Sequence, residues 1–340
     1  MTIKRTSLCV LGLLLFAAAT GGAGRIVIVQ TNSAGDNVHL IDPATNRVVG
    51  VIKGIEVNHG AAVSPDGRRL YISNEAESTL DVVDTKTLAV TQHIPLSGHP
   101  NNIGIAKDGK KVYVSISQAP GAVDVVDTVK QEKVKSIPVE GAVHNTYVTP
   151  DGKFVVAGSI AGRKISVIDA ATEQVLWTVP FENGVRPITF EKNPDGSTKR
   201  MFAQISEFHG FAVVDWATHK EVSRVTLPDL PPPAVKNTEG VQGSPSHGIG
   251  ITPDGKTLWA TSKWYWFVAA YSMPDLKFLG LVPVGHDPDW LTFTPDSKTV
   301  YVACAGSDVV VAVDVAARKE VARIPVGFVP KRNITAVLSN

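Results

Sequence analysis

The chain is predicted to be an all-β, seven-bladed β-propeller of four-stranded antiparallel blades, and three observations predict it. An aspartate closing a VID- or VVD-like run recurs at Asp42, Asp84, Asp127, Asp169, Asp215, Asp275 and Asp314, at spacings of 42, 43, 42, 46, 60 and 39 residues. A period near forty is the mark of stacked supersecondary units. A second marker, the Asp of an Asp-Gly turn, falls at Asp66, Asp108, Asp151, Asp195 and Asp254, with Asp296 followed by Ser297. Asp-Gly suits a tight hairpin because both central residues tolerate positive φ. Third, each unit offers four β-runs separated by a few turn residues, too few for helical crossovers, so the units are antiparallel meanders arranged as propeller blades.

The elements follow in order. Residues 1–24 read as a signal peptide: Lys4 and Arg5 precede the apolar run Leu8 to Ala19, and small residues follow through Gly24. That run is about half the ~20 apolar residues a membrane span needs, so no integral membrane segment is expected after cleavage, and the product is periplasmic or extracellular. Residues 25–340 form the single propeller domain. Arg25 to Asp42 supplies only the later strands of a blade, and the tail Lys331 to Leu338 resembles an inner strand without its sequel. Together they complete blade one and remove an exposed sheet edge. The clearest copy, Val300 to Gly327, alternates apolar β-formers with polar residues as half-buried strands do. Between blades five and six lies an insertion, about residues 230–245, rich in Pro and Gly, which should cross the ligand-bearing face.

Composition sets bounds. The formal net charge is +1, near −1 once Lys4 and Arg5 are removed, and no long run of one sign occurs. No nucleic-acid partner is predicted, and a monomer is expected. Loss of Cys9 with the signal leaves Cys304 alone, so an internal disulfide is excluded.

Two segments carry a family resemblance. VYVS (Val112 to Ser115) and VYVACAGSDVVVAVD (Val300 to Asp314), with IPVG at Ile324 to Gly327, resemble the YVTN-type β-propeller repeat, and the likeness runs through essentially the whole mature chain. The wider group contains the haem d1 domain of cytochrome cd1 nitrite reductase and the propeller lactonases. The resemblance implies the fold more firmly than a chemistry. It raises non-covalent tetrapyrrole binding, while the cysteine count makes covalent haem unlikely.

Function has to come from differences among the repeats. Counting back seven residues from the inner-strand turn gives His59, Asn101, His144, His247 and Asp289; the longer blade five gives Arg186, and the tail aligns Arg332. These begin the inner strands around the axial channel, on the face where blade connections emerge. Convergent polar residues there suit a small ligand or a partner protein, whereas as plain strand starts they would bond nearby carbonyls and carboxylates. His59, His144 and His247 could hold a transition metal, but they come from alternate blades and form no local motif. Loop residues His209, Lys263, Trp264, Glu75 and Glu77 should all face the same mouth. Alternation along Trp264 to Phe267 would bury two rings and expose two. The expected function is an exported protein that binds a small molecule or protein at the channel mouth. The alternatives are a metal-dependent lyase, lactonase or oxidase at the same place, or a tetrapyrrole binder. No catalytic residue is assignable from the sequence.

Overall fold

The computed structural model describes residues 24–239 and 242–340; the expected signal peptide lies outside them, Gly24 apart. Among the described residues, twenty-eight strands form seven four-stranded antiparallel sheets. No described helix is long and apolar enough to cross a membrane.

Blade one is closed by both ends of the chain. The tail strand Pro330–Leu338 pairs antiparallel with Arg25–Asn32, from Arg25 opposite Leu338 to Asn32 opposite Pro330. Blades two to seven follow in chain order, each running from an inner to an outer strand. Their inner strands are Asn58–Val63, Pro100–Ile105, Val143–Val148, Val185–Lys192, Ser246–Ile251 and Pro288–Phe293.

The core lies between blades. Ile165 and Val167 of blade four pack against Met201 and Ala203 of blade five, all wholly buried. Each such aliphatic side chain contributes roughly 1.5–3 kcal/mol by leaving water. The tyrosine of the repeat joins neighbouring blades: the Tyr301 ring is fully buried in blade seven, and its hydroxyl donates to Asn46 Oδ1 of blade one at 2.6 Å. The repeated aspartates are turn caps. Asp84 Oδ1, for example, accepts the backbone N–H groups of Lys86 and Thr87 at 3.0 and 2.8 Å.

Three sequence expectations change here. In blade six the third strand ends at Ser272, so Asp275 lies in the following turn, and the step from Ser272 to Asp314 returns to 42 residues. In the Asp-Gly turns only the second residue has positive φ, as at Gly67, Gly109 and Ser297; the aspartate instead accepts the N–H two residues on. Trp264 to Trp266 form a turn, with only Phe267 entering the strand.

A bulge recurs at the start of every inner strand. The register with the second strand slips between Asn58 and Ala61, Pro100 and Ile103, Val143 and Asn145, Val185 and Ile188, Ser246 and Ile249, and Pro288 and Trp290. The tail strand slips opposite Gln30 and Asn32. Bulges re-aim side chains and interrupt pairing. Here they lift the second residue of every inner strand, and in blades one, two, three, five and six the third as well, out of the ladder at one end of the channel.

Candidate functional site

Those second residues are His59, Asn101, His144, Arg186, His247, Asp289 and, in blade one, Lys331. Five of the six positions counted from the turns, together with Lys331, surround a cavity of about 120 Å³ lined also by Lys263, Gln242 and Ser244. Asn101 is buried just outside it. The tail has no Asp-Gly turn to count from, which is why Arg332 is one residue out of step. It occupies the third position, beneath the cavity.

Arg332 is 2 % exposed and bridges the channel. Its Nη2 donates to Asn101 Oδ1 of blade three at 2.6 Å, and its guanidinium lies 4.1 Å from the centre of the Trp290 ring of blade seven. The Tyr147 hydroxyl of blade four, which accepts the Ile188 N–H at 3.2 Å, lies near it. Nε and Nη1 are buried with no hydrogen-bond partner, and burial lowers its pKa to about 10. It remains a cation at neutral pH.

All three imidazoles are neutral at neutral pH. Burial lowers His59, takes His144 well below its ordinary value and brings His247 down to about 3. The partners fix the tautomers. His247 Nδ1 donates to the Asp289 carbonyl at 2.7 Å, and His59 Nδ1 donates to Glu75 Oε2 at 3.2 Å. Each therefore keeps a bare Nε2. His144 Nδ1 accepts from the Asn145 amide at 2.7 Å, so its Nε2 carries hydrogen. The His144 and His247 rings meet edge to face at 6.3 Å. The cavity wall thus combines two imidazole acceptors with one donor.

Its charges are unequally compensated. Lys263 Nζ lies 3.0 Å from Asp289 Oδ1 and 2.9 Å from Asp287 Oδ1. Burial opposes its charge, but the two carboxylates outweigh burial and raise its pKa. Burial would likewise raise Asp289, yet it is held well below the ordinary carboxylate range. Since His247 is uncharged above about pH 3, Lys263 is what stabilises that carboxylate at neutral pH. Arg186 gives Nε to Ser206 Oγ at 2.9 Å and Nη2 to the Gln242 carbonyl at 2.6 Å. Among the described residues, no carboxylate oxygen lies within 4.0 Å of the charged nitrogens of Arg186, Lys331 or Arg332.

The insertion covers one side of the mouth. The N–H groups of Lys263 and Glu207 donate to the carbonyls of Pro245 and Gly243, both at 2.9 Å, and that of Asn237 donates to the Trp264 carbonyl at 2.8 Å. Gln242 and Ser244 thereby become part of the cavity wall. Neither residue carries a signal of its own in the sequence.

Other expected residues lie elsewhere. Trp264 is half-buried, with Lys236 of the insertion 3.1 Å from its ring centre and His209 against it at 4.7 Å. His209 is 5 % exposed and does not line the cavity. Its Nε2 meets Ser262 Oγ at 2.8 Å, and its Nδ1 lies 3.5 Å from Asp229 Oδ1. That order resembles a hydrolase triad, but Ser262 is wholly buried and caps a turn by accepting the Tyr265 N–H, which gives it no access to a substrate. Glu77 is exposed on its turn. Among the described residues no group of three His, Cys, Asp or Glu side chains is arranged to hold a metal ion; His59, His144 and His247 share a cavity wall but do not converge on one point.

Comparison with known proteins places this geometry in context. The family described as the cytochrome D1 haem domain matches residues 23–194, and the seven-bladed β-propeller lactonase family matches residues 116–322. None of the curated proteins matches the chain. A chain of Kuenenia stuttgartiensis hydrazine synthase is 23 % identical, covering 90 % of this chain and 99 % of its own, with a TM-score of 0.73. The periplasmic gluconolactonase PpgL of Pseudomonas aeruginosa is 19 % identical, covering 92 % and 99 %, with a TM-score of 0.71. The dihydro-haem d1 dehydrogenase NirN, solved in complex with DHE, is 15 % identical, covering 88 % of this chain and 63 % of its own, with a TM-score of 0.64. At these identities the likeness to the solved structures is one of fold.

Proposed function

The chain belongs to the seven-bladed propeller families described as the cytochrome D1 haem domain and the propeller lactonases, and from that premise we propose that it is an exported protein binding a small polar molecule at the mouth of its channel. One observation carries the reading: six blades and the insertion each send polar side chains to a single cavity. A purely structural ring would leave no reason for three imidazoles with complementary hydrogen-bonding roles to meet there. Export rests on the N-terminal pattern of Lys4, Arg5 and Leu8 to Ala19.

The family description names a haem, so the cavity's size matters. At about 120 Å³ it falls below the ~300–1,000 Å³ typical of ligand pockets. A tetrapyrrole does not fit the mouth as the insertion closes it.

A second reading, a hydrolase or metal enzyme at the same site, is favoured by one feature. His59 and His247 each have Nδ1 fixed by an oxygen, an arrangement that leaves Nε2 to take a proton or a metal. Protein purified from the exported fraction, without chelator or metal-affinity tag, should be examined by native mass spectrometry, elemental analysis and absorption. A small adduct lost in His247→Ala supports binding at the mouth. Stoichiometric metal lost in His59→Ala and His247→Ala moves the assignment to the second reading. An adduct retained in both variants overturns the site.

A further inference from the structure

We infer that the molecule held at the mouth is a small carboxylate, of about two or three carbons, bound over the buried guanidinium of Arg332 and between Arg186 and Lys331. The inference rests on the mouth cavity being the ligand site and names the chemistry of its occupant.

Three observations carry it. The first is the uncompensated charge. Asp289, the one carboxylate in the cavity wall, is already answered by Lys263, and Glu75 is turned to His59. Arg186 and Lys331 in the wall and Arg332 below it have no carboxylate within ion-pair distance among the described residues. Arg332 is buried and Arg186 and Lys331 are half-buried; holding cations there without a counter-charge in contact is costly, and a bound anion supplies the contact that Asp289, Glu75 and Glu207 make only at longer range. Its planar, two-oxygen form matches a guanidinium, which binds carboxylates through paired N–H groups.

The second is the state of Arg332. It is 98 % buried, and two of its three nitrogens lack an acceptor. Buried donors are almost always satisfied, so two orphans on one side chain beneath a cavity point to an acceptor arriving from that cavity. Structural cross-linking accounts for Nη2 on Asn101 and for the ring of Trp290, but not for Nε and Nη1.

The third is size and the remaining wall. A cavity of ~150 Å³ admits benzene, so about 120 Å³ takes roughly five or six non-hydrogen atoms. Glycolate, lactate and pyruvate are in that range; sugar acids and tetrapyrroles are not. Beside the cations stand two imidazole acceptors, His59 and His247, and one donor, His144. A 2-hydroxy or 2-oxo group next to the carboxylate finds a partner among them.

Isothermal titration of the mature protein should use glycolate, pyruvate, glycolamide and sulfate at constant ionic strength. Glycolate or pyruvate should bind, and glycolamide and sulfate should bind at least tenfold more weakly. Arg186→Gln and Lys331→Gln, which leave the channel cross-links of Arg332 in place, should each weaken carboxylate binding about tenfold or more, the worth of one charge-assisted hydrogen bond. Arg332→Lys, with its fold checked by circular dichroism, should keep the charge but lose the paired geometry and bind more weakly than the parent. If glycolamide binds as tightly as glycolate, the cavity is a ligand site and the carboxylate assignment is wrong. Preferential sulfate binding overturns the carboxylate in favour of an inorganic oxyanion. No binding by any of the four overturns the carboxylate assignment; the adduct in native mass spectrometry then decides separately whether the mouth is a site at all.

Discussion

Replacing Lys263 by Met tests the electrostatics of the mouth through stability alone. Lys263 and Asp289 are 4 % and 3 % exposed and 3.0 Å apart. Removing one member of such a pair leaves the other charge buried and unanswered, at a cost of about 3–5 kcal/mol. Asp289→Asn is milder because Lys263 keeps Asp287 at 2.9 Å; losing one charge-assisted bond costs about 1.5–3 kcal/mol. The double variant should be more stable than Lys263→Met, since no lone buried charge remains. The pH dependence separates this account from simple loss of packing. In the parent, Asp289 is held below its unfolded value, so its contribution is present above about pH 4 and is lost as the pH falls further. In Lys263→Met only more distant cations such as Lys331 oppose burial, which outweighs them and raises Asp289 above its unfolded value. The folded variant then binds the proton first, and its deficit shrinks on acidification. Urea unfolding followed by tryptophan fluorescence at pH 7.5 and 5 measures both effects. A deficit below about 1 kcal/mol, or one equal at the two pH values, would refute the reasoning.

Other outcomes follow from the same structure. Deleting residues 331–340 removes the strand paired with Arg25–Asn32 and should yield aggregated rather than monomeric protein on size-exclusion chromatography. Gly121→Ala places a Cβ 1.8 Å from the Gly141 carbonyl oxygen at a positive φ, whereas Gly255→Ala meets nothing within 4 Å; urea unfolding should show about 1 kcal/mol lost at Gly255 and a clearly larger loss at Gly121. Cys304 is wholly buried and its thiol is pushed up to about 12, so a thiol reagent at pH 8 should react only after denaturant is added. Because His247 falls to about 3 when folded, its unfolded form binds protons first, and stability should decline between about pH 6.5 and pH 3 by up to ~1.4 kcal/mol per pH unit for this group. His247→Gln should flatten that slope in pH-dependent urea unfolding.

The fold was legible because most blades repeat the same solution: a capping aspartate, a tight turn and, in blades two, three and seven, a buried tyrosine in the second strand. Where the chain departs from the pattern, legibility fails in understandable ways. Blade six ends its third strand on Ser272, whose hydroxyl accepts the Lys277 N–H as the aspartates accept theirs; the aspartate three residues on has the marker's identity without its position. The channel ring could be counted from the turns in six blades, yet the tail strand ends without such a turn, which shifted the count from Lys331 to Arg332. Trp264 and His209 were placed by loop position, but their rings are covered by each other and by Lys236. The roles of Gln242, Ser244 and Trp290 depend on contacts between distant segments, and no local pattern announces them.

The bulge at the head of every inner strand divides labour along a single β-strand. Below it, side chains are committed to the ladder and to neighbouring blades; at the bulge, one or two residues are released from pairing. The head position can therefore hold a histidine, an asparagine, an arginine, an aspartate or a lysine over an unchanged scaffold. Six of the seven such positions line one cavity, so its wall can change one blade at a time without asking the ring to fold anew.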